Sequence, residues 1–221
     1  MVEQLIQKTG PSVQLRTTAV SKGARTRDRI LDIAYEAIVH KGFAGTSIEE
    51  LVEAAGITKS GFFYHFQDKN DLARQLLDRF LAEDRAVMDK LSERARALAD
   101  DPLQSFLIFL NLYAELADDM DGLHPGCLVA SVVYQDHLFD REVRRLNAEG
   151  VRAWRRRFLA WLEEIAAAHP PERPVDLEAL ADGISVVVEG AIVLANALDQ
   201  RDLMGRQIRL FRETVKSLFS G

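Results

Sequence analysis

The run Ala54-Ala55-Gly56-Ile57-Thr58-Lys59-Ser60-Gly61-Phe62-Phe63-Tyr64-His65-Phe66 decides how this chain reads. Two alanines and a glycine end one helix, and Thr58 can cap the next. At about 100° per residue, Thr58, Phe62 and Phe66 share one arc and can pack against the helices before them. Lys59, Ser60, Phe63 and Tyr64 share the opposite arc. A face with a cation, a hydroxyl and two aromatic rings is costly to leave bare, and exposed apolar clusters mark contact surfaces. A short helix after such a turn has the geometry of a helix-turn-helix recognition element, sized for a DNA major groove. A second reading packs Phe63 and Tyr64 beneath the helix that follows.

The flanking residues extend the pattern in both directions. Ile30, Ile33, Ala34, Ala37 and Ile38 recur at helical spacing and predict a helix from Arg25 to His40, stopped at Gly42. Thr46-Ser47 before Glu49-Glu50 reads as a capped start, with Ile48, Leu51 and Val52 as the buried stripe. Downstream, Asp68 to Leu98 reads as one long helix carrying Leu72, Leu76, Phe80, Val87 and Leu91 on a recurring face. Asp101-Pro102 opens the next helix, since proline suits a first helical position. A loop over Asp118–Pro125, a short apolar helix over Gly126–Tyr134 and a long helix over Arg141–Ala168 follow. Two more helices run from Asp176 and over Leu203–Phe219. The predicted fold is all-α, with roughly nine helices. An N-terminal three-helix helix-turn-helix domain is joined by a long helix to a C-terminal helical bundle. The expected organisation is a flexible basic arm over residues 1–24, a helix-turn-helix DNA-binding domain over 25–70, and a larger helical bundle over 71–221.

Composition agrees with a packed chain. Its 221 residues are 48% hydrophobic and 28% charged, which excludes a disordered or collagen-like chain. The single cysteine, Cys127, excludes an intramolecular disulfide and fits a reducing cytosol. Residues 1–24 lack the apolar core of a signal peptide, and the apolar stretch Ile184–Leu198 is cut by Glu189 and Asn196. A soluble, cytoplasmic protein without a membrane partner is expected. Residues 1–70 hold nine lysines and arginines against eight acids, whereas residues 71–221 hold nineteen against twenty-six. Arg16, Lys22, Arg25, Arg27 and Arg29 face Asp28 alone, so any polyanion contact is confined to the N-terminal end.

The motif from Ala54 to Phe66, followed by Asp68-Lys69 and Asp71-Leu72, resembles the DNA-binding signature of the Tet-repressor (TetR) family. Arg29-Ile30-Leu31-Asp32-Ile33-Ala34, Lys41-Gly42-Phe43 and Gly45-Thr46-Ser47-Ile48 resemble its upstream parts, so the likeness covers about residues 25–75. The resemblance implies an all-helical dimeric transcription factor, commonly a repressor, that binds a double-stranded DNA operator and a small molecule. It implies Lys59, Ser60 and Phe63 at the bases, with Thr46, Tyr64, His65 and Lys69 on the phosphates. With Arg25, Ser47, Thr58 and Gly61 these complete the candidate DNA contacts, and helix N-termini at Ser47 and Asp68-Lys69 add oriented N–H groups. Phe63 departs from the tyrosine common at its position, which removes a hydroxyl. Ser60-Gly61 stands where many relatives carry Gly followed by Thr or Ser, so base preference does not transfer. The basic arm through Lys22, Arg25 and Arg27 can enter an adjacent minor groove.

The C-terminal half is less specific. The helix from Asp176 is apolar throughout, with Gly183, Gly190, Ala191 and Ala195 as small residues, so it is either central or half of a subunit interface. The resemblance assigns residues 176–219 to a homodimer interface. The candidate lining of an effector pocket is Phe106, Phe109, Leu110, Tyr113, Cys127, Tyr134, Phe158 and Trp161, each of which also reads as plain core. His124, Cys127 and His137 are too few and too far apart for a metal site, and no nucleophile elbow or phosphate loop occurs. No catalytic residue, metal or cofactor is expected. Arg152, Arg155, Arg156 and Arg157 read as a solvated helix face paired with nearby acids such as Glu149 and Glu163. Two rival readings remain: a regulator without a small-molecule effector, and an all-α enzyme or interaction module.

Overall fold

The computed structural model describes residues 21–220. Among them are nine α-helices: α1 (Lys22–Lys41), α2 (Ile48–Ala54), α3 (Lys59–His65), α4 (Lys69–Leu98), α5 (Pro102–Asp118), α6 (Leu128–Tyr134), α7 (Arg141–Ala168), α8 (Leu177–Leu198) and α9 (Leu203–Phe219). A single 3-10 turn, Asp136–Leu138, sits between α6 and α7. The described residues contain no strand and no helix long and apolar enough to cross a membrane.

Local chemistry sets most helix starts. Ser47, Thr58, Asp68, Asp101, Asp140 and Asp176 each accept a hydrogen bond from a backbone N–H in the first turn of the helix they precede. Ser21 does the same for α1, so that helix begins before Arg25. Lys22, Arg25 and Arg27 therefore stand on a helix rather than in an arm. Residues 1–20, the remainder of the expected arm, lie outside the described residues.

Two apolar cores form. The N-terminal core gathers Ile30, Leu31, Ala34 and Ile38 of α1, Leu51 of α2, Phe62 and Phe66, and Leu72 to Leu81 of α4. Leu128, Val129 and Val132 of α6, with Phe139 and Val143, pack into this same core. Residues far along the chain thus complete the support of the first three helices. The second core gathers Phe106, Phe109 and Leu110 of α5, Phe158, Trp161 and Leu162 of α7, and the inner faces of α8 and α9. The 30-residue α4 crosses from one to the other, giving Leu72 to Leu81 to the first core and Met88 and Ala95 to the second. Cys127 and Trp154 pack against both.

Candidate nucleic-acid interface and bundle cavity

The turn between α2 and α3 is closed by the backbone. Gly56 adopts φ 59°, its N–H donates to the Glu53 carbonyl at 3.0 Å, and Ile57 N–H donates to the Val52 carbonyl at 3.1 Å. This is a Schellman stop, which favours glycine because a Cβ strains that left-handed conformation. Thr58 then restarts the chain, accepting from Gly61 N–H at 3.1 Å, with its hydroxyl 3.0 Å from that of Ser60.

Helix α3 has two unlike faces. Phe62 and Phe66 are wholly buried, with ring centroids 5.3 Å apart. Phe63 is 46% exposed and Tyr64 is 82% exposed. The reading in which these two rings pack under α4 is therefore excluded. Lys59 and Ser60 are exposed on the same side. Lys59 Nζ lies 2.7 Å from Glu49 Oε1 of α2, and that hydrogen bond holds the Glu49 carboxyl below the usual range. The ion pair spans α2 and α3 and keeps the lysine extended at the surface.

Other expected contacts fall in different settings. Ser47 and Thr58 act as helix caps and remain exposed, and Gly61 is half-buried beside them. Thr46 is fully buried and its hydroxyl donates to the Gly42 carbonyl at 3.0 Å. It braces the α1–α2 turn from inside, away from the face expected to meet phosphate. His65 is half-buried, with Tyr64 edge-on at 4.9 Å. Lys69 lies 4.1 Å above the Phe43 ring and donates to the Phe43 carbonyl, and desolvation lowers its pKa. Arg25 is exposed on α1, whereas Arg27 turns toward α4 and donates to Gln75 Oε1 at 2.8 Å.

A partly open cavity of about 120 Å³ lies between α4, α5, α7, α8 and α9. Of the residues expected to line it, Tyr113, Cys127 and Phe158 do. Phe106, Phe109, Leu110 and Trp161 are instead solid core, with Phe109 stacked among Phe106, Phe158 and Trp161 at 5.3–6.0 Å. Tyr134 is 71% exposed, because Leu128, Val129 and Val132 take the inner face of α6 and turn the tyrosine outward. The lining also holds Phe80, Asp84 and Met88 of α4, Trp154 of α7, and Glu189 of α8. Sequence reading missed these because each sits on a helix whose periodicity was already satisfied by core packing.

The cavity has its own electrostatics. Trp154 Nε1 donates to Asp84 Oδ2 at 2.6 Å, while burial raises the Asp84 pKa. Burial pushes Tyr113 above the usual phenol range and the Cys127 thiol up to about 12, and it lowers the pKa of His124. Cys127 is thus a protonated thiol rather than a reactive thiolate.

Residues 30–76, spanning α1 to the first turns of α4, match the family model for bacterial regulatory proteins of the tetR family. The chain carries a TetR-family DNA-binding domain. It is a DNA-binding transcriptional regulator, and its relatives are regulators rather than enzymes. Along 163 residues it is 24% identical to the transcriptional regulator AcuR of Cereibacter sphaeroides, covering 72% of this chain and 71% of AcuR. It is also similar to the HTH-type regulator AcrR of Shigella flexneri, 39% identical over 51 residues, which cover 23% of this chain and 24% of AcrR. A TetR-family regulator from Agrobacterium tumefaciens shares the fold, with a TM-score of 0.74 at 22% identity over 87% of this chain and 98% of that one.

Three of the four arginines in the α7 run, Arg152, Arg155 and Arg157, are paired, and Arg156 is exposed. Arg152 meets Glu149 at 3.0 Å, Arg155 meets Glu178 and Asp182 of α8 at 2.6 Å each, and Arg157 pairs with Asp89 of α4. Apart from Glu149, the partners are acids of neighbouring helices rather than Glu163.

Proposed function

We propose that this regulator acts as a dimeric repressor that binds a palindromic operator and is released by a small molecule held in the bundle cavity. The observation that carries the DNA part is the outward face of α3. Lys59, Ser60, Phe63 and Tyr64 stand exposed on a helix whose opposite face, Phe62 and Phe66, is locked in the core. Such a helix offers donors and apolar contacts to base edges without refolding.

Dimerisation draws support from α8. Ala181, Ile184, Ala191, Ile192 and Ala195 face the bundle, while Val186, Val193, Leu194 and Leu198 are exposed beside Gly190, which has open space around it. Leu210 of α9 is 61% exposed as well. Gly183 plays a different part, since a Cβ there would lie 3.0 Å from the Phe211 ring within the same chain. A second apolar stripe on a helix already packed on one side suits an isologous contact with a second copy.

The cavity's position suits an effector. Phe80, Asp84 and Met88 belong to α4, whose first half supports α3. His124 and Cys127 precede α6, and a Cβ on the adjacent Gly126 (φ 129°) would meet Val39 of α1 at 2.9 Å. Occupying the cavity would bias both elements that carry the DNA-binding unit, a population shift between competent and incompetent states.

Fluorescence anisotropy with the duplex upstream of the chain's own gene, at several salt concentrations, tests the reading. Wild type should outcompete random duplex and tighten as salt falls. Lys59→Ala/Tyr64→Ala should weaken the specific complex by about 100-fold, with ~1–3 kcal/mol from the Lys59 base contact and the rest from the Tyr64 phosphate contact. Unchanged affinity in that variant would place the interface elsewhere.

A further inference from the structure

We infer that the bundle cavity selects a small organic cation with an aromatic or apolar body, in preference to an anion or a neutral molecule of the same shape. This inference rests on the effector reading of the same cavity and adds the chemical class. Two carboxylates, Asp84 from α4 and Glu189 from α8, border the same cavity, and neither lysine nor arginine lines it. The remaining wall is aromatic and thioether: Phe80, Tyr113, Trp154 and Phe158 with Met88 and Met204. Aromatic faces carry negative quadrupole potential, which favours a cation, and methionine sulfurs adapt to an irregular apolar body.

The potential cations near this space are placed elsewhere or neutralised. His124 accepts from Gly126 N–H through Nδ1 at 3.2 Å, and burial disfavours its charged form. Arg157 is paired with Asp89, and Arg85 is exposed. Both border a smaller crevice of about 40 Å³ that shares Asp84 and Trp154 with the cavity, and neither lines the cavity itself. Glu189 joins no ion pair among the described residues, and its neighbour Cys127 offers it only a thiol. An anion entering here would meet two acids and no compensating charge. A cation would meet two carboxylate acceptors, of which Asp84 is stripped of much of its hydration by burial.

The test uses three probes of matched shape: phenethylammonium, 2-phenylethanol and phenylacetate. Each is titrated by calorimetry into the full-length protein and, separately, into its fluorescent operator complex. Wild type should bind the ammonium at least tenfold more tightly than the alcohol, roughly one charged hydrogen bond's worth, and phenylacetate most weakly. In Asp84→Asn/Glu189→Gln the ammonium and alcohol should converge to within about threefold, with alcohol binding retained as proof of an intact pocket. Equal or tighter phenylacetate binding, selectivity that survives the double substitution, or no binding of any probe overturns the inference. DNA release separates the two claims. Selective ammonium binding without operator release supports the cavity's class and sinks the effector reading. Release by alcohol and ammonium alike, at equal affinity, does the reverse.

Discussion

Helix α3 and helix α8 each carry two faces, and the way those faces differ separates the two halves of the molecule. On α3 the faces differ in chemistry: Phe62 and Phe66 are enclosed, while a cation, a hydroxyl and two aromatic rings point outward. A helical wheel detects that contrast at once. On α8 both faces are apolar. Ile184, Ala191, Ile192 and Ala195 meet the bundle, whereas Val186, Val193 and Leu198 meet solvent. Periodicity cannot say which side of such a helix is core, because both sides satisfy it. The readable helix speaks through local amphipathicity, and the unreadable one acquires its meaning from what packs beside it.

The largest expected effect breaks α3 into its two faces. Phe62→Ala should cost about 3–5 kcal/mol, because a fully buried ring leaves a cavity, lowering Tm by roughly 10 °C in thermal denaturation. Phe63→Ala, one residue on, should leave Tm nearly unchanged yet weaken operator binding about tenfold by anisotropy. Equal stability losses for the two rings would erase the distinction between core face and contact face.

The corresponding cut on α8 is Val186→Arg/Val193→Arg. Light scattering should show a monomer and circular dichroism wild-type helicity, and operator affinity should fall by about 100-fold as the two half-sites lose their shared effective concentration. A variant that unfolds instead would assign this stripe to the chain's own core.

A smaller effect probes the cavity wall. Burial raises the Asp84 pKa, so the folded state holds that proton more tightly than the unfolded chain does. Its contribution is fully favourable below the ordinary aspartate value of about 3.9 and is lost as pH rises through the raised value. Asp84→Asn, which keeps an acceptor for Trp154, should therefore raise Tm at neutral pH by a few degrees. The gain should vanish below about pH 4 in a thermal-melt series. A gain that is independent of pH would mean packing rather than charge. The smallest effect is at Glu49. Glu49→Gln frees Lys59 from its partner and removes an acid beside the DNA face, and should tighten duplex binding by about two- to fivefold at low salt.

Legibility followed the same division along the chain. Helical spacing puts Lys59, Ser60, Phe63 and Tyr64 on one arc, and their exposure supports that arrangement, whereas Thr58, which spacing puts on the packed arc, caps α3 and stays exposed. Thr46 and Ser47 look alike as adjacent hydroxyls before a helix. Only packing reveals that one caps outward while the other bonds inward to Gly42. In the bundle, the aromatic residues that seemed suited to a pocket mostly stack into solid core. The polar groups that do line the cavity, Asp84 and Glu189, were hidden among the many acids of exposed helix faces.

The sequence by itself determined the all-helical fold, the order and limits of most helices, and the two unlike faces of α3. These depend on interactions within four residues, such as caps, glycine stops and 3.6-residue periodicity, which are written locally. Tertiary structure alone decided that α6 completes the N-terminal core and that α4 carries both cores. It also decided that a space bounded by two carboxylates remains between five helices. A cavity is the place where several distant surfaces fail to meet, and no local pattern records what is absent between them.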